Sequence, residues 1–248
     1  MLLKGTVNSV MYLWFFAAFT AYFVKGLCGF ANTLVFTTIL SFGAANASIS
    51  PVDLLLGYPA NLILTLKNRR SLDPKVFLPL AVLVLAGSVP GALMLKNVDA
   101  RFIKLVFGVA VIALGMEMLM RECSKKRARS SKLVLGIIGV TAGMLCGLFG
   151  VGALLAAYVS RVTENDESFK ANISAVFIVD NTFRIILYKT LGLLTLGTLK
   201  SVLLLIPFAL LGLFTGIKCC GHMNEKNVRK ITIVLLILSG ISLVLKNL

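Results

Sequence analysis

Acidic residues are scarce in this chain. Its 248 residues include 10 Asp+Glu and a single histidine, and charged residues of both signs reach only 14%. Soluble domains give about a quarter of their residues to charge. There is too little here to coat a folded surface, which argues against a soluble enzyme. Paired cysteines are missing too: the 5 cysteines include no C-x-x-C spacing, so they describe neither a disulfide framework nor a zinc ribbon. Cys219, Cys220 and His222 cluster in sequence but lack a fourth ligand nearby, so no metal is expected. No G-x-x-x-x-G-K-S/T loop exists to hold a nucleotide. No cofactor is expected, and any uphill work must draw on an ion or substrate gradient.

What the chain has in abundance is apolar length. Hydrophobic residues make up 58%, and the mean hydropathy is +0.94. Apolar segments read as Thr6–Val24, Phe30–Ala45, Pro51–Leu66, Pro74–Leu95 and Phe102–Met120. After a basic loop follow Leu133–Cys146, Val151–Ser160, Ala171–Tyr188, Leu193–Ile217 and Ile231–Leu245. An α-helix needs roughly 20 residues to cross hydrocarbon about 30 Å thick. Most segments are near that length, whereas Val151–Ser160 is far too short and Phe30–Ala45 is marginal. The pattern predicts an all-α polytopic membrane protein. Thr6–Val24 is read as a retained span, because it is long and has no basic leader beyond Lys4.

The 25 Lys+Arg sit mostly in short loops between these segments, so the excess orients a membrane protein and does not suggest nucleic acid as a partner. The loop Arg121–Lys132 divides the chain, giving a first repeat over 1–120, a basic cytoplasmic linker over 121–132 and a second repeat over 133–248. Gly26-Leu27-Cys28-Gly29-Phe30-Ala31 lines up with Gly147-Leu148-Phe149-Gly150-Val151-Gly152. At a shift of about 125 positions, Gly87 falls on Gly212, Gly91 on Gly216 and Gly115 on Gly240. Placing Lys67–Arg70, Arg121–Lys132 and the later cluster Lys218, Lys226, Arg229 and Lys230 on one side requires an odd number of elements per half. The two repeats are then inverted, with both termini outside. Each consists of a Gly-broken or re-entrant helix pair plus three spanning helices.

A mid-membrane break must face protein or an aqueous cavity. Glycines permit its tight turns, and a helix starting beyond it points free N–H groups back at the break. Gly26, Gly29, Gly147, Gly150 and Gly152 mark the two breaks, with Cys28 and Phe30 in the first. Asn32 and Thr33 add polar donors at the first half-helix start. The opposing reading of these glycines is close helix packing. Ionisable groups inside spans are costly and mark function. Asp180 and Arg184 lie four apart, with Asn181 beside them and Asn61 at the matching place in the first half. Arg184 either meets an oxyanion with its planar fork or pairs internally with Asp180. Lys25 is read as snorkelling to the interface, and Cys28 and Cys146 as small apolar fillers.

On these residues the chain resembles the sulfite exporter TauE/SafE family of membrane transporters over nearly its whole length. The resemblance rests on Gly26-Leu27-Cys28-Gly29-Phe30 and Gly143…Gly147-Leu148-Phe149-Gly150-Val151-Gly152. It extends to Leu78-Pro79-Leu80…Gly87…Gly91 and to Leu211-Gly212…Gly216. Where the family often has glycine and then proline, this chain has Ala31-Asn32-Thr33 and Ala153-Leu154. The resemblance implies a secondary transporter of small sulfur-containing anions, sulfite or an organosulfonate, exporting them across a bacterial inner membrane by alternating access. The expected partners are that anion and membrane lipid, and a homo-oligomer is compatible with the sequence. The alternatives are an anion channel, a carrier of non-sulfur organic anions, and a membrane enzyme or a non-transporting sensor or interaction protein; for an enzyme, the chain offers few acid–base groups.

Overall fold

A computed structural model describes residues 2–40, 46–94 and 153–224 continuously, together with helical positions scattered through 105–120 and 227–245. The chain runs α1 (Leu2–Cys28), α2 (Asn32–Leu40), α3 (Asn46–Lys67), a 3-10 turn (Arg69–Ser71) and α4 (Pro74–Met94). It resumes with α5 (Ala153–Val162), α6 (Asp166–Thr190) and α7 (Leu196–Cys220). No strand occurs among the described residues. Four helices there are long and apolar enough to cross a membrane, in the windows Met11–Cys28, Ile49–Lys67, Asp166–Thr190 and Leu196–Cys220. The short segments stay short: α2 has 9 residues and α5 has 10, about 14 and 15 Å at 1.5 Å per residue.

Local chemistry sets the boundaries. Asn165 caps α6 by accepting the Ser168 N–H at 2.8 Å, and Asp166 and Glu167 lie in its positive first turn. Thr195 caps α7 in the same manner, with Thr198 N–H at 3.2 Å. Pro74 opens α4, where a missing N–H costs nothing. The basic turn after α3 is tied to the start of α6 by Asn172, which accepts from the Asp73 N–H at 3.0 Å and donates to the Ser71 carbonyl.

Large apolar side chains on α1 and α7 point outward: Tyr12, Phe16, Leu196, Leu203, Leu211 and Phe214 are all exposed. Such a continuous apolar exterior suits lipid and not water. Inside, α1 and α7 touch backbone to backbone. A Cβ on Gly26 would stand 2.8 Å from the Ile217 nitrogen, and one on Gly216 would strike the Phe23 carbonyl. Gly212 meets the Phe19 carbonyl one turn away. This is the small-xxx-small seam of membrane helices, where glycine lets backbones approach closely. The same device recurs at Gly108 and Gly240, each within about 3 Å of the other's carbonyl once a Cβ is added.

Candidate functional site

The chain stops being helical after Cys28 and restarts at Asn32. Two residues in the left-handed region make the turn, Gly29 at φ 83° and Ala31 at φ 70°. The Gly29 N–H closes the last turn of α1 on the Lys25 carbonyl at 2.7 Å, and the Val35 N–H closes the first turn of α2 on the Ala31 carbonyl at 3.1 Å. The break is thus satisfied on both sides.

Lys25 bridges it. The side chain is 1% exposed, its Nζ donates to Asn32 Oδ1 at 2.9 Å, and it lies 5.5 Å from the centre of the Phe177 ring. The expected snorkelling does not occur, because the interior supplies both an acceptor and an aromatic face. The amide nitrogen of Asn32 in turn donates to Asp53 Oδ1 at 3.1 Å. Tyr22 donates to the same carboxylate at 3.1 Å, and the Thr33 hydroxyl donates to Asp53 Oδ2. A buried carboxylate is stable only when so provided with donors.

Around this group lies a small polar cavity, open in part to the surroundings. The α1 and α2 residues Lys25, Asn32 and Thr33 line one wall. Ser50, Asp53, Gly57 and Asn61, one turn apart along α3, form a second, and Phe177, Asn181 and Arg184 of α6 form a third. Helical periodicity places each set on one face. Gly57 and Phe177 sit near the midpoints of α3 and α6, so the cavity occupies the middle of the spans. Gly57 leaves room there: a Cβ would lie 3.5 Å from the Tyr22 hydroxyl and 3.7 Å from Asn181 Nδ2.

Arg184 is 3% exposed. It donates to the Tyr188 hydroxyl at 2.8 Å and to Ser50 Oγ at 3.4 Å. Asn61 is 2% exposed, and its Oδ1 has no hydrogen-bond partner among the described residues. A buried, unmet polar atom facing a cavity is what a solute or water would satisfy. Lys25 and Arg184 supply two cationic groups to the lining against the single carboxylate of Asp53. The described residues contain no metal-binding cluster of His, Cys, Asp and Glu.

Five of the residues singled out by sequence, Asn32, Thr33, Asn61, Asn181 and Arg184, therefore meet at one cavity. Five others stand off it. Gly26 serves the α1–α7 contact. Gly29 packs on Lys170, with a Cβ 2.8 Å from its Cγ. Cys28 donates its thiol to the Val24 carbonyl at 3.0 Å, and Phe30 packs edge-on against Phe169. Asp180 is turned toward α4, where Ser88 donates to it at 2.5 Å, while staying within electrostatic reach of Arg184. Gly147, Gly150 and Gly152 lie outside the described residues. Sequence reasoning missed Tyr22, Ser50 and Asp53. The signal for Asp53 was available: it is the only acidic residue in Pro51–Leu66, and the cost of a buried charge that singled out Asp180 applies equally to it.

An apolar helical exterior around a polar pocket at mid-span marks a multi-pass membrane protein. Residues 14–243 match the family model of the sulfite exporter TauE/SafE, and the chain belongs to that family. No match is found among curated proteins or solved structures.

Proposed function

We propose that the protein is a secondary transporter that exports a small sulfur-containing anion, sulfite or an organosulfonate, from the cytoplasm. The observation that carries this reading is the presence of both Lys25 and Arg184 in the lining of one mid-span cavity. A cation with a planar fork and a second compact cation suit a tetrahedral or pyramidal oxyanion. Asn32, Asn61 and Asn181 add side-chain amides to the same lining, and the short helix α2 starts at Asn32, so that the positive end of its dipole lies beside the cavity.

The duplication in sequence supports alternating access. The broken helix α1 of the first half rests on Gly212 and Gly216 of the second half. Gly87 and Gly91 occupy the corresponding places of the first half. In an inverted pair of repeats these would receive the second broken helix near Gly147, and the two halves would rock about the shared cavity. The residue ranges 1–120 and 133–248 are the two moving units in this reading, and the setting is a bacterial inner membrane with both termini outside.

The test is flux. Vesicles containing the purified protein and loaded with sulfite should release it, and external sulfite should drive counterflow of labelled internal sulfite. Counterflow separates a carrier from a channel, which conducts without exchange. Absence of both movements for sulfite and for organosulfonates would refute the assignment.

A further inference from the structure

The carboxylate of Asp53 is held in an asymmetric way. Its Oδ1 accepts from Tyr22 and from the Asn32 amide, both at 3.1 Å, whereas Oδ2 accepts from the Thr33 hydroxyl. The Asn32 amide cannot reverse, because its own oxygen is taken by Lys25 at 2.9 Å and its NH₂ can only donate. A hydroxyl can reverse: it donates to a carboxylate and accepts from a carboxylic acid without moving a heavy atom. Tyr22 is a hydroxyl too, but Oδ1 also holds the Asn32 amide, which can only donate; Oδ2, held by a hydroxyl alone, is the oxygen better placed to take a proton in place.

Asp53 and Thr33 both line the cavity. While Asp53 is ionised, the Thr33 hydrogen is spent on it. Once Oδ2 carries a proton and donates to Thr33 Oγ1, the Thr33 hydrogen is released and can turn to a solute in the cavity. The titratable groups facing Asp53 are Lys25 and the Tyr22 hydroxyl from α1, and Arg184 from α6 with Asp180 behind it. The cavity lining receives no ionisable side chain from α2 or α7 among the described residues. Among the groups that line the cavity, with Lys25 and Arg184 charged and Asp53 ionised, one net positive charge remains; Asp180 lies off the lining, against Ser88. A dianion entering the cavity leaves one uncompensated negative charge in a buried place, and such a charge is strongly disfavoured. One proton on Asp53 restores neutrality.

We propose that Asp53 is the proton-coupling site of this transporter, and that Thr33 is the hydroxyl that passes its state to the anion. The inference rests on the assignment of the cavity as an anion site. Binding of a dianion is accompanied by transfer of one proton from the aqueous phase to Asp53 Oδ2. Release on the other side returns that proton to water, so no electrons move and no other bond changes.

Sulfoacetate is the suitable probe, because both of its acidic groups are already ionised near neutral pH and contribute no proton of their own. Its binding to the purified protein is measured by calorimetry in two buffers that differ in ionisation enthalpy. The wild type should take up one proton per anion bound. Asp53→Asn should bind with no proton uptake, Thr33→Val should lose most of the uptake, and Thr33→Ser should restore it. Sulfoacetate binding to the wild type without proton uptake overturns the coupling proposal while leaving the anion site standing. Uptake that persists unchanged in Asp53→Asn overturns it as well. Absence of sulfoacetate binding overturns the anion site and the coupling together. The wild-type measurement decides the matter even where a variant fails to fold.

Discussion

The ammonium group of Lys25 crosses the break in its own helix and donates to Asn32 Oδ1, 2.9 Å away, at the first residue of the next helix. One contact thereby holds the turn shut and keeps a positive charge at the cavity wall. Replacing Lys25 by Met keeps the apolar stem and removes both roles. Charge-assisted hydrogen bonds contribute about 1.5–3 kcal/mol, so anion affinity should fall at least about tenfold in Lys25→Met. Equilibrium binding of sulfite or sulfoacetate checks this; unchanged affinity would place the anion elsewhere.

Arg184 is held by Tyr188 and Ser50, which fixes the plane of its guanidinium against the cavity. Arg184→Ala should reduce sulfite efflux from vesicles by about tenfold or more, by the same energetic argument. Arg184→Lys keeps the charge but not the fork, and should recover only part of the rate. Normal transport by Arg184→Ala would remove the residue from the site.

Ala31 adopts φ 70°, a conformation that costs a residue with a Cβ roughly 1–2 kcal/mol. Ala31→Gly relieves that strain and gives back part of it in chain entropy, for a net gain of about 0.5–1 kcal/mol. Thermal unfolding in detergent should show a higher midpoint for Ala31→Gly and a lower one for Ala31→Val, whose β-branch is least tolerated there.

Gly216 carries the α1–α7 contact, where an added Cβ would run into the Phe23 carbonyl and lie 3.1 Å from the Gly26 Cα. Neither neighbour is a flexible side chain, so the helices must part. Gly216→Ala should cost about 1–3 kcal/mol of stability, as overpacking does, and Gly216→Leu should prevent assembly of the bundle. Unfolding midpoints and the yield of monodisperse protein in detergent measure both.

Much of the fold is legible in the sequence because apolar length and charged breaks are first-order features of a membrane chain. Pro74–Leu95 appears as Pro74–Met94, and Leu193–Ile217 as Leu196–Cys220. The first break is readable as well, from Gly26 and Gly29 at the head of a segment of marginal length for a span. The roles of its glycines are not. Gly26 faces another helix and Gly29 faces Lys170, which depends on how remote segments dock. Lys25 illustrates the same limit: an ammonium at a helix end snorkels unless the fold brings an acceptor and a ring within reach, and here Asn32 and Phe177 do so. Asp53 needed no docking information, only an even-handed view of acidic residues inside apolar runs.

Sulfite counterflow in reconstituted vesicles tests the account most directly. The mid-span cavity predicts saturable exchange of labelled internal for unlabelled external sulfite, lost in Lys25→Met and in Arg184→Ala. Exchange that proceeds at the wild-type rate in both variants would contradict it.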